Sequence, residues 1–404
     1  MTLAFLFAAL TLDEAVLRAL GSSPEIKIAR ASLVVSTAET SVARVLPAPE
    51  FRFNTGNFDT DPDTFRERTT AALRYSPPRP REISLKQAIA QTRVEAARAN
   101  VRAAEARIAA AVRLAFRQAV MAQSRESLAA RVVALAKSKR RTLLRQVSAG
   151  LKEADEKDLA DLEVEEAENS LRRVASLARA ARAKLARLIE PGGAFDDELA
   201  LDPELLAVPA ALIDKTELTG LALRGRAEME VIAETCKEQQ LEQTLAKDQR
   251  YPWISFVEVS HRVTYLPERG PWGWKFGVDL PFFRSAAAAE GTVAAAREMR
   301  CRVQQSAMAA TIRNEVEAAI ANLESLRSEL VDVDRLRSGP AERAFQRAQL
   351  ALKAGRADQI DLFTAEHRLL TIQDRWLERR QQYVELESQL EAALGASLPA
   401  ARTN

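Results

Sequence analysis

The residues of this sequence best placed to do chemistry are two pairs of aspartates. The phrase A-D-x-x-D-L occurs twice, at Ala154–Leu159 and at Ala357–Leu362. In the second copy Asp358 and Asp361 lie three residues apart, so both carboxylates fall on one face of a helix. Repeated around a narrow opening, such a pair makes an acidic ring that favours cations and binds multivalent ones. A plainer role is open to Asp358. An aspartate at the start of a helix caps its free N–H groups and faces its positive end, and Arg356 nearby would weaken the field of a ring.

Other chemistry is hard to assemble. The chain has two histidines. His261 falls in an alternating, strand-like stretch. His367 falls on a helical stretch beside Glu366, with no carboxylate, Cys or His three or four residues on. No phosphate-cradling glycine loop, nucleophile elbow or metal-ligand cluster is present, so neither an enzyme nor a cofactor is expected. Cys236 and Cys301 are far apart in sequence and form no C-x-x-C pair, which reads as two separate helical thiols. Charged residues make up 28% of the 404, yet the formal net charge is only +2. That balance gives no electrostatic case for nucleic acid. No run of eighteen apolar residues exists, so no transmembrane helix is expected. A β-barrel span is not excluded, because its signal per strand is weak.

The elements that position the aspartates are long helices. Ala, Leu, Arg and Glu dominate and aromatics are 5%. From about Arg81 to Ser148 there is neither proline nor glycine, and a helix of that length would run about 100 Å. Gly150 and Gly355, each shortly before an A-D-x-x-D-L phrase, read as helix stops followed by helix starts. The return helix after Gly150 carries Leu171, Val174, Ala178, Ala181, Leu185 and Leu188 at alternating steps of three and four, the coiled-coil spacing. The counterpart seam is Leu323, Leu326, Leu330 and Val333. Pro340 interrupts that second long helix ahead of Gly355, where a proline removes a hydrogen bond and bends the rod; it reads as a hinge.

Between the helices the period changes from 3.6 to 2. Strands are expected near 50–56 and 69–76, and again near 253–265 and 272–280. In the last of these Trp272, Trp274, Phe276, Val278 and Leu280 alternate with small or charged residues. The chain therefore reads as a duplication: a short signal-like segment (1–10), a first repeat (11–190), a linker (191–216), a second repeat (217–395) and a tail (396–404). Four strands cannot close, and open edges cannot sit in lipid. Three chains would pool twelve strands, wide enough for a pore, whereas two would give eight, which side chains tend to fill. The aromatic face suits the lipid side of such a barrel, with Lys275 and Asp279 towards a wet lumen.

From about Leu10 to Gly395 the sequence resembles the outer-membrane factor (TolC) family. The resemblance is carried by Leu12-Asp13-Glu14-Ala15 with Pro24-Glu25, the Leu46-Pro47 and Tyr251-Pro252 junctions, Asp279-Leu280-Pro281-Phe282-Phe283, and the turn from Gly355 to Asp361-Leu362. It implies a mainly α fold with a small β part: a homotrimer whose coiled-coil helices form an α-barrel in the periplasm and whose strands form a twelve-stranded barrel in the outer membrane. It implies a passive exit duct that docks a periplasmic adaptor and an inner-membrane pump. Gly150, Leu151, Asp155, Gly355, Arg356 and Asp358 then form the docking tips, and Asp361 matches the aspartate that faces the closed aperture. The sequence departs from the family pattern in a short signal, brief outer loops and two extra residues in the first tip. The rival reading is a soluble or periplasmic coiled-coil scaffold without a pore.

Overall fold

The computed structural model describes residues 10–57, 67–192, 215–262, 271–280 and 285–395. Outside these lie the first nine residues of the expected signal segment, linker residues 193–214, the tail, and Val263, Thr264 and Tyr265 at the end of the expected third strand. The strand exit Pro281-Phe282-Phe283 also lies outside. The described residues form α1 (Leu12–Ser22), α2 (Pro24–Val42), β1 (Glu50–Asn57), β2 (Glu67–Tyr75), α3 (Glu82–Ser148) and α4 (Ala154–Ile189). The second half adds α5 (Lys215–Gly225), α6 (Ala227–Asp248), β3 (Trp253–Arg262), β4 (Trp272–Asp279), α7 (Ser285–Leu336), a π-helical turn (Arg337–Ala341), α8 (Glu342–Lys353) and α9 (Gln359–Leu394). No helix among them is long and apolar enough to cross a membrane.

The chain folds into two compact units. The first, Met1–Lys27 with Arg102–Arg226 and Ala310–Asn404, is helical. Thr11 caps α1, its hydroxyl accepting from the Glu14 N–H at 3.3 Å. The apolar stripes of the long helices supply the core: Phe116 and Met121 of α3, Leu185 of α4, Ile312, Leu323 and Leu330 of α7, and Tyr383 and Leu390 of α9 are fully buried. Each such side chain contributes about 1.5–3 kcal/mol by leaving water. Within this core Arg117 donates to both carboxylate oxygens of Glu391 at 3.2 Å. Burial pushes the neighbouring Glu387 carboxyl above its ordinary range, against the pull of Arg117 and Arg380. Along the α3–α4 hairpin, Lys137 pairs with Glu168, Lys139 with Glu163 and Arg140 with Asp161. Exposed pairs of this kind are worth about 0–1 kcal/mol each, so they set the register of the hairpin more than its stability.

The second unit, Ile28–Val101 with Ala227–Ala309, holds the sheet. Its strands are antiparallel in the order β1-β2-β3-β4, leaving β1 and β4 as edges. Arg79 locks the end of α6 to the chain leaving β2: its guanidinium donates to the carbonyl of Asp248, the last residue of the helix, at 2.9 Å and to that of Tyr251 beyond it at 2.6 Å. The Trp253 indole N–H donates to the Pro77 carbonyl at 2.9 Å. Arg93 of α3 meets Glu238 and Glu242 of α6 at 2.6 and 3.4 Å.

Four features differ from expectation. Cys236 and Cys301 are not separate thiols; they form a disulfide between α6 and α7. Their separation of 65 residues concealed this, although the two helices flank one β-hairpin and so must lie side by side. The sequence pattern predicts that the helix starting at Pro24 runs to about Leu46; α2 ends at Val42, because Thr37, Thr40 and Ser41 turn their hydroxyls back onto helix carbonyls and weaken its last turns. The residue pattern predicts one helix from about Glu217 to Gln249, but the chain forms two there, broken at Arg226. Gly225 supplies the weak point, and a Cβ there would stand 3.4 Å from the Leu394 carbonyl oxygen. Finally, Pro340 sits in a π-helical turn, which takes up an extra residue and lets the helix continue into α8.

Candidate functional site: two helical tips and an apolar sheet face

The two tips, both in the helical unit, end their first helix in the same way. Gly150 has φ 71° and Gly355 φ 66°. The Leu151 N–H reaches back to the Gln146 carbonyl at 2.9 Å, and the Gly150 N–H to Val147 at 2.9 Å. At the second tip the Arg356 N–H reaches Ala351 at 2.9 Å and the Gly355 N–H reaches Leu352 at 3.0 Å. These paired bonds form a Schellman cap, whose left-handed residue favours glycine.

They begin their second helix differently. Asp358 is the N-cap of α9, and Asp361 closes a capping box: the Asp361 carboxylate accepts the Asp358 N–H at 3.1 Å. In the first tip the two extra residues move the phrase into the helix. Glu153 takes the cap position without a side-chain bond, and Asp155 instead accepts the adjacent Glu156 N–H at 3.0 Å. The capping reading of Asp358 is thus realised in the fold, with Asp361 completing the box, and both carboxylates remain exposed. The tips also touch one another: the Gln146 side-chain amide donates to Asp358 at 3.1 Å. The Glu156 carboxylate holds the Lys152 ammonium above its ordinary range, and Asp358 acts in the same direction. Arg356 is exposed beside them.

In the other unit the sheet is two-faced. Register places Phe51, Leu73, Val259 and Trp274 in one row across all four strands. Phe53, Ala71, His261 and Trp272 make the next row, and Tyr75, Val257 and Phe276 the row on the other side. A bulge between Ile254 and Phe256 brings Ile254 opposite Val278. This face is uncovered: Trp272 is 64%, Trp274 71% and Phe276 76% exposed, and Val278 and Leu280 are also open. The His261 ring meets Trp272 edge-on at 4.8 Å. The opposite face is polar. Lys275 pairs with Glu258 at 3.2 Å, Arg52 with Glu50 at 2.8 Å, and the Arg74 guanidinium lies 3.6 Å from the centre of the Phe256 ring. Among the described residues no group of three or more His, Cys, Asp or Glu could hold a metal ion.

Comparison with solved structures gives this architecture its relatives. CusC, described as forming a transmembrane channel, matches with a TM-score of 0.76 at 15% identity over 97% of this chain and 93% of its own. The outer-membrane protein VceC from Vibrio cholerae matches at 0.73 and 17% identity over 96% of this chain and 97% of its own. The MtrE outer-membrane channel of Neisseria gonorrhoeae matches at 0.71 and 20% identity over 97% and 91%. This chain has the fold of an outer-membrane channel. No family model and no curated protein sequence matches it; the likeness lies in the course of the backbone. In the outer-membrane-channel fold seen here, a mostly helical chain carries one small antiparallel sheet.

Proposed function

We propose that the chain is a subunit of an outer-membrane exit duct of the outer-membrane factor family, a passive homotrimeric channel that docks a periplasmic adaptor and, through it, an inner-membrane pump. The observation that carries this reading is the sheet: two open edges and one continuous, exposed, aromatic-rich face on a single chain. In water such a face needs a cover and such edges invite pairing. Three copies, β4 of one beside β1 of the next, close twelve strands into a barrel that removes both faults in lipid. Its polar face then lines the lumen. The Cys236–Cys301 bond supports a location beyond the cytosol, because structural disulfides belong to oxidising compartments. The decisive measurement is native mass in mild detergent, made on protein extracted from the outer membrane. A trimer is expected. A monomer or dimer as the only species would end the proposal, and recovery in the soluble fraction would favour the coiled-coil scaffold.

Within this duct the tips at Gly150, Leu151 and Asp155 and at Gly355, Arg356 and Asp358 are the adaptor-docking surface, and Asp358 and Asp361 ring the aperture. Asp361→Asn separates the two roles of that residue. The amide oxygen still accepts the Asp358 N–H, so the cap is kept while the charge goes. Single-channel recording should show lost cation preference and lost block by trivalent cations; an unchanged preference would take Asp361 out of the pore lining.

Pro340 is the hinge of the second hairpin. The π-turn there packs on α9, with the Arg337 guanidinium 4.7 Å from the Trp376 ring centre and paired to Asp334 at 2.6 Å. Pro340→Ala is expected to let a regular α-helix run through and to reduce conductance and export together. Full retention of both would remove the hinge.

A further inference from the structure

Cys236 and Cys301 are the only cysteines of the chain, and they are bonded to each other. The bond closes a 65-residue segment that contains the end of α6, the whole β3–β4 hairpin and the start of α7. Both cysteines are buried, at 7% and 3% exposed, and the Cys301 sulfur lies 3.9 Å from the Ile232 carbonyl oxygen of α6. Thiol–disulfide exchange requires a thiolate to meet a sulfur of the oxidant directly. A protein oxidant has no such access once α6 and α7 have packed, so the bond forms first.

We propose that this chain is a substrate of a protein dithiol oxidase in the compartment where it folds, and that oxidation of Cys236 and Cys301 precedes and promotes the pairing of β3 with β4. One cysteine thiolate attacks the disulfide of the oxidase, forming a mixed disulfide and releasing the oxidase's other sulfur as a thiolate. The second cysteine thiolate then attacks the chain-side sulfur of the mixed disulfide. The chain has lost two protons and two electrons, and the oxidase leaves as a dithiol. Two cysteines allow one pairing within a chain, so the step needs no isomerisation. Its benefit is conformational. A two-stranded hairpin is marginal alone in water, and closing a loop of this length shifts the folding equilibrium roughly a thousandfold by restricting the unfolded chain. The staple holds together the helices that enter and leave the hairpin.

The test follows the full chain as it folds in cells, with free thiols trapped by a maleimide mass tag. Dithiothreitol present during synthesis should leave both cysteines tagged and lower the yield of protease-resistant chain several-fold. The same reagent added after folding should leave the bond intact. Cells lacking their dithiol oxidase should accumulate the tagged form. Cys236→Ala/Cys301→Ala should show the same deficit without reductant and no further response to it. Two tagged thiols in mature chain from ordinary cells would overturn the proposal, as would equal loss of the bond to reductant before and after folding, or a wild-type yield of the double variant. Fractionating the same samples keeps the two readings apart: oxidised, protease-resistant chain outside the outer membrane would count against the duct while upholding the oxidation step.

Discussion

Trp274→Arg is expected to remove the chain from the outer-membrane fraction. Trp274 stands in the central row of the apolar face, in register with Val259, Leu73 and Phe51, and it is open to whatever surrounds the sheet. A charged side chain near the middle of the lipid face of a barrel costs about 2–4 kcal/mol. In a trimer the cost recurs in every chain, which makes this the largest single-residue effect anticipated here. Arg52→Gln on the opposite face is the control. Arg52 is half-buried and pairs with the exposed Glu50, so its loss costs little and the variant should still reach the membrane. Normal membrane recovery of Trp274→Arg would show that this face does not meet lipid.

The second large effect belongs to Gly355→Val. At φ 66° a β-branched residue is strained by about 1–2 kcal/mol. Nothing lies within 4 Å of the Cβ it would carry, so the strain is purely conformational. The cost is too small to unfold a long packed helical unit and large enough to reshape the tip. Export should therefore be abolished, and capture of the adaptor by crosslinking lost, while the trimer persists. Gly355→Asn, which tolerates the left-handed region, should restore much of both. Export at the normal rate by the valine variant would remove Gly355 from the docking surface.

Much of this architecture was legible in the residues because it rests on local periodicity. Alternation at Trp272, Trp274 and Phe276 identified β4 and its apolar face, and the absence of proline and glycine before Ser148 identified α3. The glycine stops at Gly150 and Gly355 were legible for the same reason, since only a few residue types accept that backbone. Other features depended on partners distant in sequence. The pairing of Cys236 with Cys301 needed the two helices placed side by side. The break at Arg226 needed α9 pressed against Gly225. The register of the aspartates lay between these cases. The sequence repeat made Asp155 and Asp358 look equivalent, yet two inserted residues put one at a helix cap and the other inside the first turn. A repeated phrase thus marks a shared ancestry of shape without ensuring a shared role for each letter.

The two unlike edges of the sheet have a further consequence for assembly. Joining β4 of one copy to β1 of another is a heterologous contact, in which each subunit offers a different surface to each neighbour. Contacts of that kind have two outcomes: a closed ring, or a chain of subunits that grows without limit. Nothing in the hydrogen-bonding groups of β1 or β4 selects between them. The selection falls to the right-handed twist of the strands and to the angle at which the third copy meets the first. A small change of curvature at the Ile254–Phe256 bulge could therefore turn a soluble oligomer in detergent into a fibre while leaving every pairing within the subunit intact.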